Sequence, residues 1–172
     1  MLQKILVALD RSQPHQHVLD EALTLAPATN ASLMFFHVLS SSGKGYPYPT
    51  YPSGDAYPAL YEESIQVYSE QLQRLEQEGI AFLRSLIRQA MALGIPTEYA
   101  QSMGDPGKKI CETAKNWKAD AILMGRRGRS GWQEMLLGSV SNYVLHHAPC
   151  SVMIVQGVFS DAEALQEYLD VC

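Results

Sequence analysis

Hydrophobic positions along this chain fall into two kinds of run that alternate from one end to the other. Ile5 to Leu9, Leu33 to Leu39, Ala121 to Met124 and Ser151 to Val155 are apolar at most positions, as in strands buried on both faces, and Thr97 to Gln101 is a weaker candidate. Between them, apolar residues recur every three or four positions, the spacing of one helix face. The resulting order, β-α-β-α-β-α-β-α-β, predicts an α/β protein: a doubly wound, five-stranded parallel sheet with helices on both faces.

The helices carry their own start and stop signals. Ser12 followed by Pro14 opens the first, which is expected to bury Val18, Leu19, Ala22 and Leu25. In the second, Ile65, Tyr68, Leu72, Leu75, Phe82, Leu86 and Leu93 follow steps of three and four once Gly79 and Gln89 or Ala90 take seam positions. It runs about thirty residues, roughly 45 Å, up to Gly94 and Pro96. Such a helix either overhangs the sheet to meet another subunit or covers the sheet and frays at its start. Asp105 as N-cap and Pro106 after it open the third, with Ile110, Ala114 and Trp117 inward. Val140, Val144 and Leu145 begin the stripe of the fourth.

Two segments stand apart from the alternation. Residues 40–61 hold five of the nine tyrosines and four of the nine prolines, which forbids a regular helix around Pro47, Pro49 and Pro52. Following a strand's carboxyl end, this loop is either a lid over a ligand crevice or a mobile surface excursion. Residues 160–172, with Ala164, Leu165 and Leu169 on one side, read as a short appended helix.

A length of 172 residues predicts one domain, residues 1–172. Thirteen Lys and Arg against 18 Asp and Glu leave no broad basic surface for nucleic acid. No stretch approaches the ~20 apolar residues that span a bilayer, and the first strand begins without a preceding signal-peptide core, so a cytoplasmic location is expected. Cys111, Cys150 and Cys172 form no CxxC pair, which points away from zinc and from a disulfide framework.

The candidate chemistry lies where the Ala121–Met124 run gives way to the last helix. Gly125 to Ser139 reads GRRGRSGWQEMLLGS, and a glycine-rich link from strand to helix is where phosphates bind, because backbone N–H groups approach the anion unobstructed. The position five after Gly125 is Ser130 and no lysine occurs in the loop, so this is no Walker loop; nor does G-x-G-x-x-G fit. The spacing is G-x2-G-x9-G-S, on Gly125, Gly128, Gly138 and Ser139. Ser139, Val140 and Ser141 offer N–H groups and the serines hydroxyls, while Arg126, Arg127 and Arg129 either clamp phosphate or stay solvated; Arg127 is the candidate retained.

That spacing resembles the ATP-binding branch of the universal stress protein family. The likeness extends to KILVALDRS at Lys4 to Ser12, His37-Val38, Gly104-Asp105-Pro106, ADAILMG ending at Gly125, and HAPCSVMIV from His147 to Val155, about residues 2–156 in all. It implies a Rossmann-like fold of the adenine nucleotide alpha hydrolase-like kind, with ATP as ligand, accompanied by Mg²⁺. Ala8 would lie beside adenine and the Val38 backbone would read it; Asp10 would take the ribose, with capping of the first helix as its other role; Gly125, Arg127, Gly128, Gly138, Ser139, Val140 and Ser141 would line the phosphate side, and Met124 is a further binding residue. A homodimer through the last strand is expected, that strand being short, apolar and at the sheet edge by the same resemblance.

The histidines lack metal-ligand spacing, and no cysteine or serine has a nucleophile's surroundings. The reading is a nucleotide-dependent regulatory or stress-response module with an unidentified protein partner, at most a slow ATPase. Its alternatives are an ATP hydrolase or adenylyl-transfer enzyme, and an interaction module for AMP or a cyclic nucleotide.

Overall fold

The structure, a computed structural model, describes residues 2–11, 15–41, 46–47, 58–126 and 137–156. Ser12, Pro14, Arg127, Gly128, Arg129, most of the Tyr/Pro-rich loop and the expected helix at 160–172 lie outside the described residues. The elements are β1 (Lys4–Ala8), α1 (His15–Thr29), β2 (Ser32–Leu39), α2 (Pro58–Ala92), β3 (Thr97–Met103), α3 (Pro106–Trp117), β4 (Ala121–Gly125), α4 (Ser139–His147) and β5 (Ser151–Val155). All strand pairs are parallel, in the order β3-β2-β1-β4-β5. This is the doubly wound α/β sheet that the alternating pattern predicts. None of the described helices is long and apolar enough to cross a membrane.

Strand pleating divides the core in two. Ile5, Val7, Leu33, Phe35 and Leu123 face α1 and α2, together with Val18, Leu19, Leu83 and Leu86. Leu6, Phe36, Ile122 and Met124 face α3 and α4. The central strands are therefore apolar at successive residues, since both faces are covered. Burying each of the large side chains among them contributes about 1.5–3 kcal/mol, offset by the entropy of ordering the chain. On α1, Ala26 is buried while Leu25 is only partly so. Trp117 is half-buried because its indole N–H turns to the Glu98 carboxylate at 2.7 Å, and Leu145 is 42% exposed.

α2 departs most from expectation. It begins at Pro58, inside the expected loop, and its 35 residues span about 52 Å. Among the described residues its fully buried positions lie in the second half: Gly79, Leu83, Leu86 and Ala90 are buried, whereas Phe82 is partly buried and Leu93, just past its end, is 60% exposed. Gly79 does hold a seam position. A Cβ there would overlap Gln101 Oε1 and come within 3.1 Å of His37 Cδ2, so the bare backbone lets α2 approach β2 and β3 closely.

Three helices stop the same way. The N–H groups of Ala31, Ile95 and Ala119 reach back to the carbonyls of Ala26, Ala90 and Ala114 at 2.9, 3.1 and 2.9 Å, with Asn30, Gly94 and Lys118 in the left-handed region. Asp105 caps α3 as its sequence indicates, accepting from the Lys108 N–H at 3.0 Å.

Candidate functional site

The strand order reverses between β1 and β4, which are neighbours in the sheet although five elements of the chain, α1 to α3, separate them. In an open α/β sheet, a crevice opens outside the carboxyl ends of the strands at that switch point. Register places Ala8 of β1 opposite Met124 of β4. Ala8, Val38, Met124 and Val140 share the apolar cluster on the α3/α4 face, so four of the expected site residues come together beneath the crevice. Asp10, half-buried, follows two residues after Ala8.

Beyond β4 the backbone is tied down tightly. The Arg126 N–H donates to the Val155 carbonyl at 3.0 Å, carrying the β4–β5 pairing one residue further. The Arg126 carbonyl accepts from the Gly138 N–H at 3.0 Å and from the Ser141 hydroxyl at 2.8 Å, and the Gly138 carbonyl lies 3.0 Å from that same hydroxyl. Gly125 and the start of α4 are thereby brought side by side. Ser139 is exposed and Val140 half-buried, and the N–H groups of Ser139, Val140 and Ser141 form the first turn of a helix that no side chain of Gly138 can cap. Such a turn presents donors and the positive end of the helix dipole, a combination that attracts anions.

One detail differs from the sequence reading. Ser141 is 2% exposed and its hydroxyl is engaged with carbonyls of the protein, so that hydroxyl is not a ligand group. Gly138 has φ −61° and ψ 155°, and Gly125 lies in β4 without a positive φ. Neither glycine therefore sits in a left-handed backbone.

A further polar group, quoted above only as part of the His37-Val38 likeness, lies close to the end of β1. His37 is 3% exposed, and its Nδ1 donates to the Leu9 carbonyl at 2.9 Å, just past the end of β1. A histidine inside the run Leu33-Met34-Phe35-Phe36-His37-Val38-Leu39 signals a buried polar group that must be bonded.

Cys111 and Cys150 are free and half-buried. Burial pushes Cys111 up from its ordinary value, and burial followed by the Asp120 carboxylate and Cys111 does the same to Cys150. Among the described residues, no three His, Cys, Asp or Glu side chains gather as a metal site.

A five-stranded parallel sheet of this order, with helices between its strands, defines an α/β, Rossmann-like class of fold. The universal stress protein family matches residues 1–156, and the chain belongs to it. The chain is 38% identical over 157 residues to the universal stress protein Sll1388 of Synechocystis sp., covering 89% of this chain and 97% of that one. Among solved structures, the hypothetical protein MJ0577 superposes with a TM-score of 0.73 at 20% identity, over 93% of this chain and 99% of the other. A universal stress protein in complex with cAMP superposes at 0.58 and 23% identity, covering 90% and 97%. A universal stress protein family protein from Arabidopsis thaliana with AMP bound gives 0.58 and 19%, covering 92% and 94%.

Proposed function

We propose that this chain is a nucleotide-responsive universal stress protein that takes ATP with Mg²⁺ across the crevice between β1 and β4. One observation carries the reading: the strand order reverses between β1 and β4, and the α4 start is knotted onto the Arg126 carbonyl beside it. The residues fit such a ligand. Ala8, the Val38 backbone and Met124 would seat adenine, Asp10 would accept from the ribose hydroxyls, and Gly125, Gly138 and the N–H groups of Ser139, Val140 and Ser141 would hold phosphate. Arg127 and Gly128 belong to the same proposal from their place in the G-x2-G-x9-G-S spacing. Mg²⁺ would be held chiefly by the phosphates, since no cluster of metal-ligating side chains occurs among the described residues.

The relatives solved with AMP and with cAMP favour a second reading, in which a monophosphate is the preferred ligand. Calorimetric titration with MgATP, AMP and cAMP decides between them. Tightest binding of ATP supports the first reading, tighter AMP or cAMP the second, and binding of none of the three ends both.

The homodimer belongs to this proposal. β5 is an edge strand, and its Met153 is 39% exposed, so pairing β5 with its twin would cover the free backbone edge. A light-scattering mass of one chain at micromolar concentration removes it. In such a module the nucleotide sets conformation or partner binding within the cytoplasm, and hydrolysis is slow, because turnover needs a group that positions water and Asp10 serves the other end of the ligand.

A further inference from the structure

Two polar side chains are buried in the core among the described residues, His37 at 3% and Ser141 at 2% exposure. Each clamps a carbonyl at the first residue beyond a switch-point strand. His37 Nδ1 lies 2.9 Å from the Leu9 carbonyl, and because a carbonyl only accepts, Nδ1 carries the hydrogen. The Leu9 N–H in turn donates to the Phe36 carbonyl at 2.9 Å, so β2 grips both backbone groups of the residue between Ala8 and Asp10. Across the crevice, the Ser141 hydroxyl and the Gly138 N–H converge on the Arg126 carbonyl at 2.8 and 3.0 Å.

A buried donor is costly unless bonded, and an apolar residue would serve packing alone at either position. Neither side chain faces the crevice as a ligand group. The His37 ring packs edge-on to Phe82 of α2, centroids 6.0 Å apart, on the sheet face opposite Ala8, Val38 and Met124. We propose that His37 and Ser141 are the positioning residues of the nucleotide crevice: His37 fixes the lip that carries Asp10, and Ser141 fixes the lip that carries the α4 donors. The inference rests on the nucleotide reading above. It assigns each residue to a different end of the ligand, which a general loss of stability would not do.

The test uses the full chain and two probes, MgATP and adenosine, titrated by calorimetry. An asparagine amide nitrogen sits two bonds from Cβ, as Nδ1 does, whereas that of glutamine sits three bonds away. His37→Asn therefore keeps the affinity for both probes within about threefold, while His37→Gln weakens both by about tenfold, the worth of one hydrogen bond. Ser141→Ala lowers the ratio of ATP to adenosine affinity by about tenfold, and Ser141→Thr restores it. Equal effects of the Asn and Gln variants, or an unchanged ratio in Ser141→Ala, overturn the inference while wild-type binding leaves the nucleotide reading standing. Wild-type protein that binds neither probe overturns both. If His37→Gln does not fold, the Ser141 pair decides.

Discussion

At the amino end of the sheet, the exposed Asp120 carboxylate accepts from the Gln3 and Lys4 N–H groups at 2.8 and 2.9 Å, tying the start of β4 to the start of β1. Lys4 also lies over the Trp117 ring, 5.0 Å from its centroid, and donates to the Trp117 carbonyl at 3.2 Å. At the carboxyl end, the same two strands finish on carbonyls held by His37 and Ser141, both buried. Backbone groups beyond the ladder must find partners at either end. Where the partners are surface side chains, they stabilise and leave little else to bind. Where the partners come from inside, as His37 and Ser141 do, the frame is fixed from within the core.

The largest effect expected from breaking the carboxyl end alone follows Gly138→Val. The backbone there, φ −61° and ψ 155°, suits any residue, so the fold survives, but isopropyl bulk enters the space where a phosphate would approach the α4 start. ATP affinity should fall by about a hundredfold or more, some 2.8 kcal/mol, with an unchanged circular-dichroism spectrum. Calorimetry showing native ATP affinity in a folded Gly138→Val protein would falsify the assigned crevice.

A second variant separates packing from site. Gly107 of α3 faces Tyr143 of α4, and a Cβ would stand 2.6 Å from Tyr143 Cδ1 and 3.1 Å from its Cβ. The second contact involves the root of the side chain, which ring rotation cannot relieve. Gly107→Ala should therefore lower unfolding free energy by about 1–3 kcal/mol, the usual cost of overpacking. Since α4 carries the donors, its ATP affinity should drop as well if helix placement governs binding. Urea denaturation with no shift in midpoint would show that the two helices part freely.

The sequence conveyed the fold well because burial on both faces leaves a plain mark: Ile5-Leu6-Val7 and Ile122-Leu123 could be little else than central strands. β3 was fainter and came out two residues longer than expected, since an edge strand such as Thr97–Met103 mixes polar and apolar side chains. The α2 stripe slipped by one, Leu83 for Phe82, because helix periodicity fixes a face but not which flank of it is deepest. Ala8, Val38, Met124 and Val140 do gather on one face. Motif spacing says which backbone could meet a ligand, but not which side chain is turned inward to hold that backbone. Ser141 and His37 show this: one looked like a ligand hydroxyl, the other like a strand residue.

The smallest expected effect lies at the amino end, in the response to acid. Hydrogen bonds from the Gln3 and then the Lys4 N–H hold the Asp120 carboxyl below its ordinary value. A carboxylate whose pKa is lowered by folding contributes stability above its unfolded pKa, near ~3.9, and that contribution is lost as pH falls through the folded value. Wild-type protein should accordingly lose part of its stability as pH drops below about 4, whereas Asp120→Asn, which cannot ionise, should lose less over the same window and be slightly less stable at pH 7. The effect is small because the carboxylate is exposed and screened by water and salt. ATP affinity at pH 7 should remain as in the wild type, the tie being at the far end of the strands from the crevice. Denaturant midpoints of the two proteins, measured from pH 7 to pH 3, should converge toward the acid end. Parallel curves would mean that the Asp120 tie makes no net contribution, and a loss of ATP binding would mean that the two ends of β1 and β4 are coupled.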